Sequence, residues 1–242
     1  MSTTSAQPGM ELIRNGGFES VDRSVTTYDQ LTAATGWSNA TLALSEVFDP
    51  KASVKTVGIP ENDYGYMKPF EGERYAGFCG WKDDVRRNWG AVDERDTFKP
   101  GWNAYSEYLQ SELVQPLRKG VEYELAFRVA LSQNSDRAII GLGAIFHENE
   151  QRHQHRKFID EIPEVFSEEM ITEKGKWHEV RGTFKADGKE RWIIIGIYPY
   201  VGMESRPVVE GPDNRYAYFY IDGVSLTEYV PKKEGTDAPE GQ

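Results

Sequence analysis

The stretch Arg215–Leu226, RYAYFYIDGVSL, decides the fold class. Tyr216, Tyr218 and Tyr220 fall on one face and Ala217, Phe219 and Ile221 on the other, which is the two-residue period of a β-strand. Asp222-Gly223 then interrupts the apolar face, and Val224 and Leu226 resume it. A carboxylate in an apolar closing strand is costly unless something satisfies it. Its natural partner lies near the other end of the chain, in Asn15-Gly16-Gly17-Phe18-Glu19. With first and last strands side by side, Glu19 and Asp222 meet. Two carboxylates repel without a cation, whereas around Ca²⁺ they clamp the two ends. A structural Ca²⁺ ion held by Glu19 and Asp222 is therefore expected.

The chain has 242 residues, enough for one large all-β domain or two small ones. Its formal net charge of -11 argues against non-specific nucleic-acid binding, which needs a basic footprint. The one cysteine, Cys79, excludes an internal disulfide and sits in an apolar run, where a buried inert thiol is expected. No apolar run approaches the length that spans a bilayer. The first ten residues, MSTTSAQPGM, lack a hydrophobic core and do not read as a signal peptide.

Residues 1–10 read as a flexible segment, 11–229 as a single β-sandwich domain and 230–242 as a flexible tail or linker. Strands are expected at 11–14, from Trp37, within 41–49, at 74–79, 104–117, 121–132, 138–147, 176–186 and 191–200, before the closing strand. In the 121–132 strand Tyr123, Leu125, Phe127, Val129 and Leu131 share a face. Long loops fall at about 50–72, 80–102 and 148–170, the last with room for a helical turn. About nine strands with turn signals between them and no long helix give an all-β, two-sheet antiparallel sandwich.

Several motifs resemble the galactose-binding-like jelly rolls, the class that includes many carbohydrate-binding modules. They are Asn15-Gly16-Gly17-Phe18-Glu19, Lys176-Trp177 and Tyr220-Ile221-Asp222-Gly223-Val224-Ser225-Leu226. The middle of the chain resembles domains of Bacteroidetes-type cell-envelope proteins often fused to OmpA-like domains. It does so through Gly36-Trp37, Val57–Asn62, Gly72–Gly77, Glu107–Gln110 and Leu117–Tyr123. The resemblance implies a jelly-roll sandwich in a secreted or envelope protein of a bacterium. It also implies the calcium ligands Glu19 and Asp222. No OmpA-like domain follows Val230, and the loop from Trp81 to Trp102 is longer than in that pattern, so a peptidoglycan role is not carried over.

Sugar-binding sites stack the apolar face of a pyranose on Trp or Tyr and replace lost water with polar side chains. The loops supply that chemistry: Tyr64, Tyr66, Trp81, Trp89 and Trp102 stand among Asp84, Arg87 and Asn88. These eight residues are the candidate ligand-binding set. Trp177 and Trp192 fall in strands and read as packing. His147, His153 and His155 put three imidazoles near one another, but the spacing matches no zinc motif and basic neighbours oppose a cation, so a solvated loop is the better reading. No nucleophile, metalloprotease or phosphate-loop motif occurs. The chain therefore reads as non-enzymatic: a carbohydrate-recognising module of the bacterial envelope or exterior. Its alternative is an assembly subunit that binds an envelope protein through the same loops.

Overall fold

The computed structural model describes residues 9–83, 104–199, 202, 204–211 and 213–231. Among them the helical content is one 3₁₀ turn, Leu31–Ala33. The described strands, in chain order, are β1 (Trp37–Asn39), β2 (Glu46–Phe48), β3 (Glu61–Asn62), β4 (Gly65–Tyr66), β5 (Tyr75–Asp83), β6 (Ala104–Tyr105), β7 (Leu109–Glu112) and β8 (Glu122–Leu131). They continue with β9 (Arg137–Ile139), β10 (Leu142–His147), β11 (Val165–Phe166), β12 (His178–Lys185), β13 (Trp192–Ile197), β14 (Ser205–Pro207) and β15 (Tyr216–Glu228). No helix among the described residues is long and apolar enough to cross a membrane.

Two antiparallel sheets make the sandwich expected from the sequence. One runs β1-β7-β13-β10-β11 and the other β12-β8-β15-β5-β2, with β6 on the end of β5. Their inner faces follow the two-residue period. Leu125, Phe127, Val129 and Leu131 of β8 meet Phe219 and Ile221 of β15 and Phe78 of β5, all fully buried. Across the sandwich stand Ile193, Ile195 and Ile197 of β13. A side-chain carbon on Gly80 would lie 3.1 Å from Ile197, so the two layers are in direct contact. The isoleucine run of β13 is buried on both faces, because Ile194 packs with Tyr108, Ile159 and Tyr198 on the far side.

β15 lies between β8 and β5, and its tyrosine row faces away from the sandwich core. Asp222 belongs to that row rather than to the apolar one: it pairs with Arg128, as Ile221 pairs with Val129. A bulge between Asp222 and Ser225 then returns Val224 and Leu226 to the core.

Several expected strands are cut differently. The 104–117 stretch breaks at Ser106–Tyr108, because Ser106 and Glu107 turn their amides to Arg156 and Cys79. The 138–147 stretch breaks into β9 and β10, and β9 takes β14 as its partner. The 148–170 segment holds β11 and no helical turn. Residues 11–14 form no regular strand, yet they join the layers. Leu12 donates to Leu226 of β15 at 2.9 Å, and its carbonyl accepts from Val114 just after β7 at 2.9 Å. The Glu11 carboxylate accepts from the Leu226 amide and the Ser225 hydroxyl.

This docking fixes the residue type at position 16. Val224 donates to the Gly16 carbonyl at 3.0 Å, and a side-chain carbon on Gly16 would sit 1.9 Å from the Val224 carbonyl oxygen. Neither backbone can give way without losing its hydrogen bonds. Gly16→Ala is therefore expected to cost about 1–3 kcal/mol, the usual scale of an overpacked site, measured as a lower denaturation midpoint. An unchanged midpoint would show that the amino-terminal segment contributes nothing to the sandwich.

Candidate functional site

The tyrosine face of the six-stranded sheet is covered in two ways. At one end residues 50–72 fold over it, with Phe48, Tyr75 and Tyr220 packed at ring distances of 4.9–5.3 Å. At the other end the face opens into a cleft of about 510 Å³. β2 contributes Glu46, β5 contributes Cys79 and Lys82, and β15 contributes Tyr216 and Tyr218. Tyr105 and Glu107 enter from β6 and the break after it, Asp63 and Tyr64 from the β3–β4 turn, and Tyr28 and Asp29 from the loop before the 3₁₀ turn. Leu42 and Leu44, 46% and 39% exposed, line it together with Arg156.

Two carboxylates stand in this cleft almost without solvent contact: Glu46 is 3% exposed and Glu107 is 4% exposed. Glu46 accepts from the Tyr218 hydroxyl at 2.5 Å and from Tyr64 at 3.3 Å. A glycine at position 77 makes the first bond possible, because a side-chain carbon there would lie 2.5 Å from the Tyr218 hydroxyl. Glu107 accepts from the Cys79 amide at 2.6 Å and from Tyr105 at 2.7 Å. Burial, then the charge of Glu107, holds the Glu46 carboxyl well above the usual range. Burial lifts Glu107 to about 7, against the hydrogen bonds of Cys79 and Tyr105. Burial, then Glu107, also pushes the Cys79 thiol up, in keeping with an inert buried cysteine.

Of the residues singled out in the sequence, Tyr64 belongs to the cleft, but its ring lies flat on Tyr218, 3.6 Å away at 9°. Tyr66 is exposed and lies off the cleft; its amide donates to Gln133. Trp81 is 1% exposed beneath Arg137, so it cannot stack a ligand. Asp84, Arg87, Asn88, Trp89 and Trp102 lie outside the described residues. Trp177 packs as expected, with its indole donating to Lys68 and its ring against Phe70 and Tyr75. The sequence reading passed over Glu46 and Glu107. Their one local signal is an acid set between apolar neighbours, in Glu46-Val47-Phe48 and Tyr105-Ser106-Glu107-Tyr108.

Glu19 and Asp222 approach the same short segment from two sides. Asp222 is fully buried and accepts from the amides of Phe70, Glu71 and Gly223 at 2.7–3.1 Å. Glu19 accepts from the amides of Glu73 and Arg74 at 2.8 and 2.9 Å. The groups gathered on both carboxylates are N–H donors, which complement an anion and do not fit the oxygen-rich shell of a calcium ion. Among the described residues no group of three or more His, Cys, Asp or Glu side chains is arranged to hold a metal. In the histidine loop, His147 contacts Glu161 at 3.0 Å and the rings of His153 and His155 lie 5.3 Å apart.

No protein-family model matches the chain, and no curated protein matches its sequence. Among solved structures the chain is similar to the CBM22-1 xylan-binding domain of Paenibacillus barcinonensis Xyn10C. Identity is 11%, with 94% of this chain and 97% of that one covered, at a TM-score of 0.44. It is similar to the C-terminal family 22 carbohydrate-binding module of Clostridium thermocellum Xyn10B, at 9% identity, coverage of 91% and 94%, and a TM-score of 0.39. It is also similar to the K1 cleaved adhesin domain of Lys-gingipain from Porphyromonas gingivalis W83, at 9% identity, coverage of 92% and 100%, and a TM-score of 0.39.

Glu107 titrates higher when folded than when unfolded, so its contribution is fully present below the unfolded value near 4.5 and is lost as pH rises through about 7. Melting temperature is therefore expected to fall from mildly acid to mildly alkaline pH, and Glu107→Gln to flatten that slope; a slope the variant leaves unchanged would remove Glu107 as its source. Because amides satisfy Glu19 and Asp222, a chelator such as EDTA is expected to leave the melting temperature unchanged; a fall of several degrees would place a bound metal there.

Proposed function

We propose that the protein is a non-catalytic carbohydrate-binding module and that its ligand lies in the tyrosine cleft. The observation that carries this reading is the cleft's composition. Four partly exposed tyrosines, Tyr28, Tyr64, Tyr105 and Tyr216, and two exposed leucines offer apolar faces, and four carboxylates offer hydrogen-bond acceptors, in an open volume of about 510 Å³. That volume falls within the range of small-molecule sites, about 300–1,000 Å³. A sugar presents both an apolar C–H face and a ring of hydroxyl donors, and this lining is the complement of both. The carbohydrate-module-like motifs at Asn15–Glu19 and Tyr220–Leu226 support the same class. A place in the bacterial envelope or outside the cell, with a glycan or an envelope protein as partner, rests on that resemblance alone.

The cleft draws on the outer face of the sheet and on the segments around Tyr28, Leu42, Asp63 and Arg156, and of the expected ligand residues that are described, Tyr64, Tyr66 and Trp81, it contains Tyr64.

A glycan panel with the full chain tests the reading. Binding to an oligosaccharide is expected, and Tyr28→Ala is expected to weaken it at least about tenfold, or about 1.4 kcal/mol, while Tyr66→Ala leaves it unchanged. Glycan binding that withstands Tyr28→Ala but is lost in Tyr66→Ala would move the site out of the cleft. No glycan bound by a folded chain would favour the assembly role. The bound oligosaccharide is expected to stay intact on long incubation; shortened products would make Glu46 and Glu107 an acid–base pair instead.

A further inference from the structure

We infer that the cleft's ligand carries a protonated amine, as an amino sugar does, and that Glu46 and Glu107 receive it. This deepens the reading just given and rests on it. Both carboxylates are more than nine-tenths buried, yet both line the open cleft. Every hydrogen bond described to them comes from a neutral donor. Tyr218 and Tyr64 serve Glu46, and the Cys79 amide and Tyr105 serve Glu107. Among the described residues neither has an ion pair within 4.0 Å.

The wider lining does not redress the balance. Asp29 and Asp63 add two more acids, against the two cations Lys82 and Arg156. Asp29 faces both buried carboxylates and raises each of them, while Lys82 acts on Glu107 in the opposite sense. Neutral donors satisfy lone pairs but leave the charge of a buried carboxylate uncompensated, and such a charge is strongly destabilising. Burial answers this by favouring the protonated form of both carboxyls. A neutral sugar would bring more neutral donors and no charge. An ammonium group brings three donors and the missing positive charge together. The tyrosine rings beside it add the attraction of a π-face for a cation, about 0.5–2 kcal/mol. The ammonium therefore takes the place of the retained proton, and binding releases it.

The test compares three short oligosaccharides at mildly acid pH, where the amine is protonated: β-1,4-linked glucosamine, its N-acetylated counterpart and the β-1,4-linked glucose chain. The glucosamine chain is expected to bind at least about tenfold more tightly than either neutral chain. Calorimetry of the unaltered protein in buffers of different ionisation enthalpy is expected to show net proton release with that ligand alone. Glu107→Gln, checked for folding by its melting curve, is expected to bring the preference close to unity. Equal or tighter binding of a neutral chain, or binding without proton release, would overturn the amine while leaving the carbohydrate reading in place. No binding of any of the three would overturn the amine, and the wider glycan panel then decides the carbohydrate reading.

Discussion

The buried hydroxyl–carboxylate bond between Tyr218 and Glu46 is the interaction on which the outer face of the sheet depends. β15 carries phenylalanine and isoleucine toward the core and tyrosine away from it, so one strand seals the sandwich and supplies polar hydrogens to the layer above. Tyr220 serves Asn62 in the same way that Tyr218 serves Glu46. A phenylalanine at position 218 would pack as well and take from Oε2 of Glu46 the donor described for it, a loss of about 1–3 kcal/mol. The covered and the open halves of the outer face are thus built from one repeated device.

Carboxylates do comparable work at three more places. Glu11, Glu19 and Asp222 each gather backbone amides from a segment distant in the chain. Each tethers a stretch that lacks a regular ladder: the amino-terminal segment or residues 70–74. The acidity of the chain is in part structural, since these acids replace the ladder bonds those stretches lack. The cleft differs because its acids face a space that no chain segment among the described residues fills.

The sheet was legible in the sequence where one strand's two faces differ, as in β15, or where alternation is long, as in β8. It was less legible where a glycine or a polar pair breaks a strand, as at Gly141 and at Ser106-Glu107, because local composition there still reads as β. The row to which Asp222 belongs was hidden by the bulge beside it, which changes the side-chain parity without changing composition. The cleft was mostly illegible. Its two buried acids lie 61 positions apart and share no motif, and only the β2–β5 and β5–β6 pairings bring them together. Aromatic content pointed to Trp81 because it flanks a loop, but the residue ends up under Arg137. Tyr64 stood out as an aromatic ring with a polar tip in a loop, and the fold places it in the cleft lining.

The docking of residues 11–16 on Val224, Ser225 and Leu226 of β15 has a consequence for how the fold meets other polypeptide. Leu12 and Leu226 are hydrogen-bonded neighbours, so the first and last described segments of the sandwich lie side by side. Force applied through the two ends of the described chain would therefore meet at this contact. A pull between the two ends would first unzip the Leu12–Leu226 contact, one bond at a time. The cleft is built from β2, β5, β6 and the far end of β15, so it would keep its shape while that contact opened.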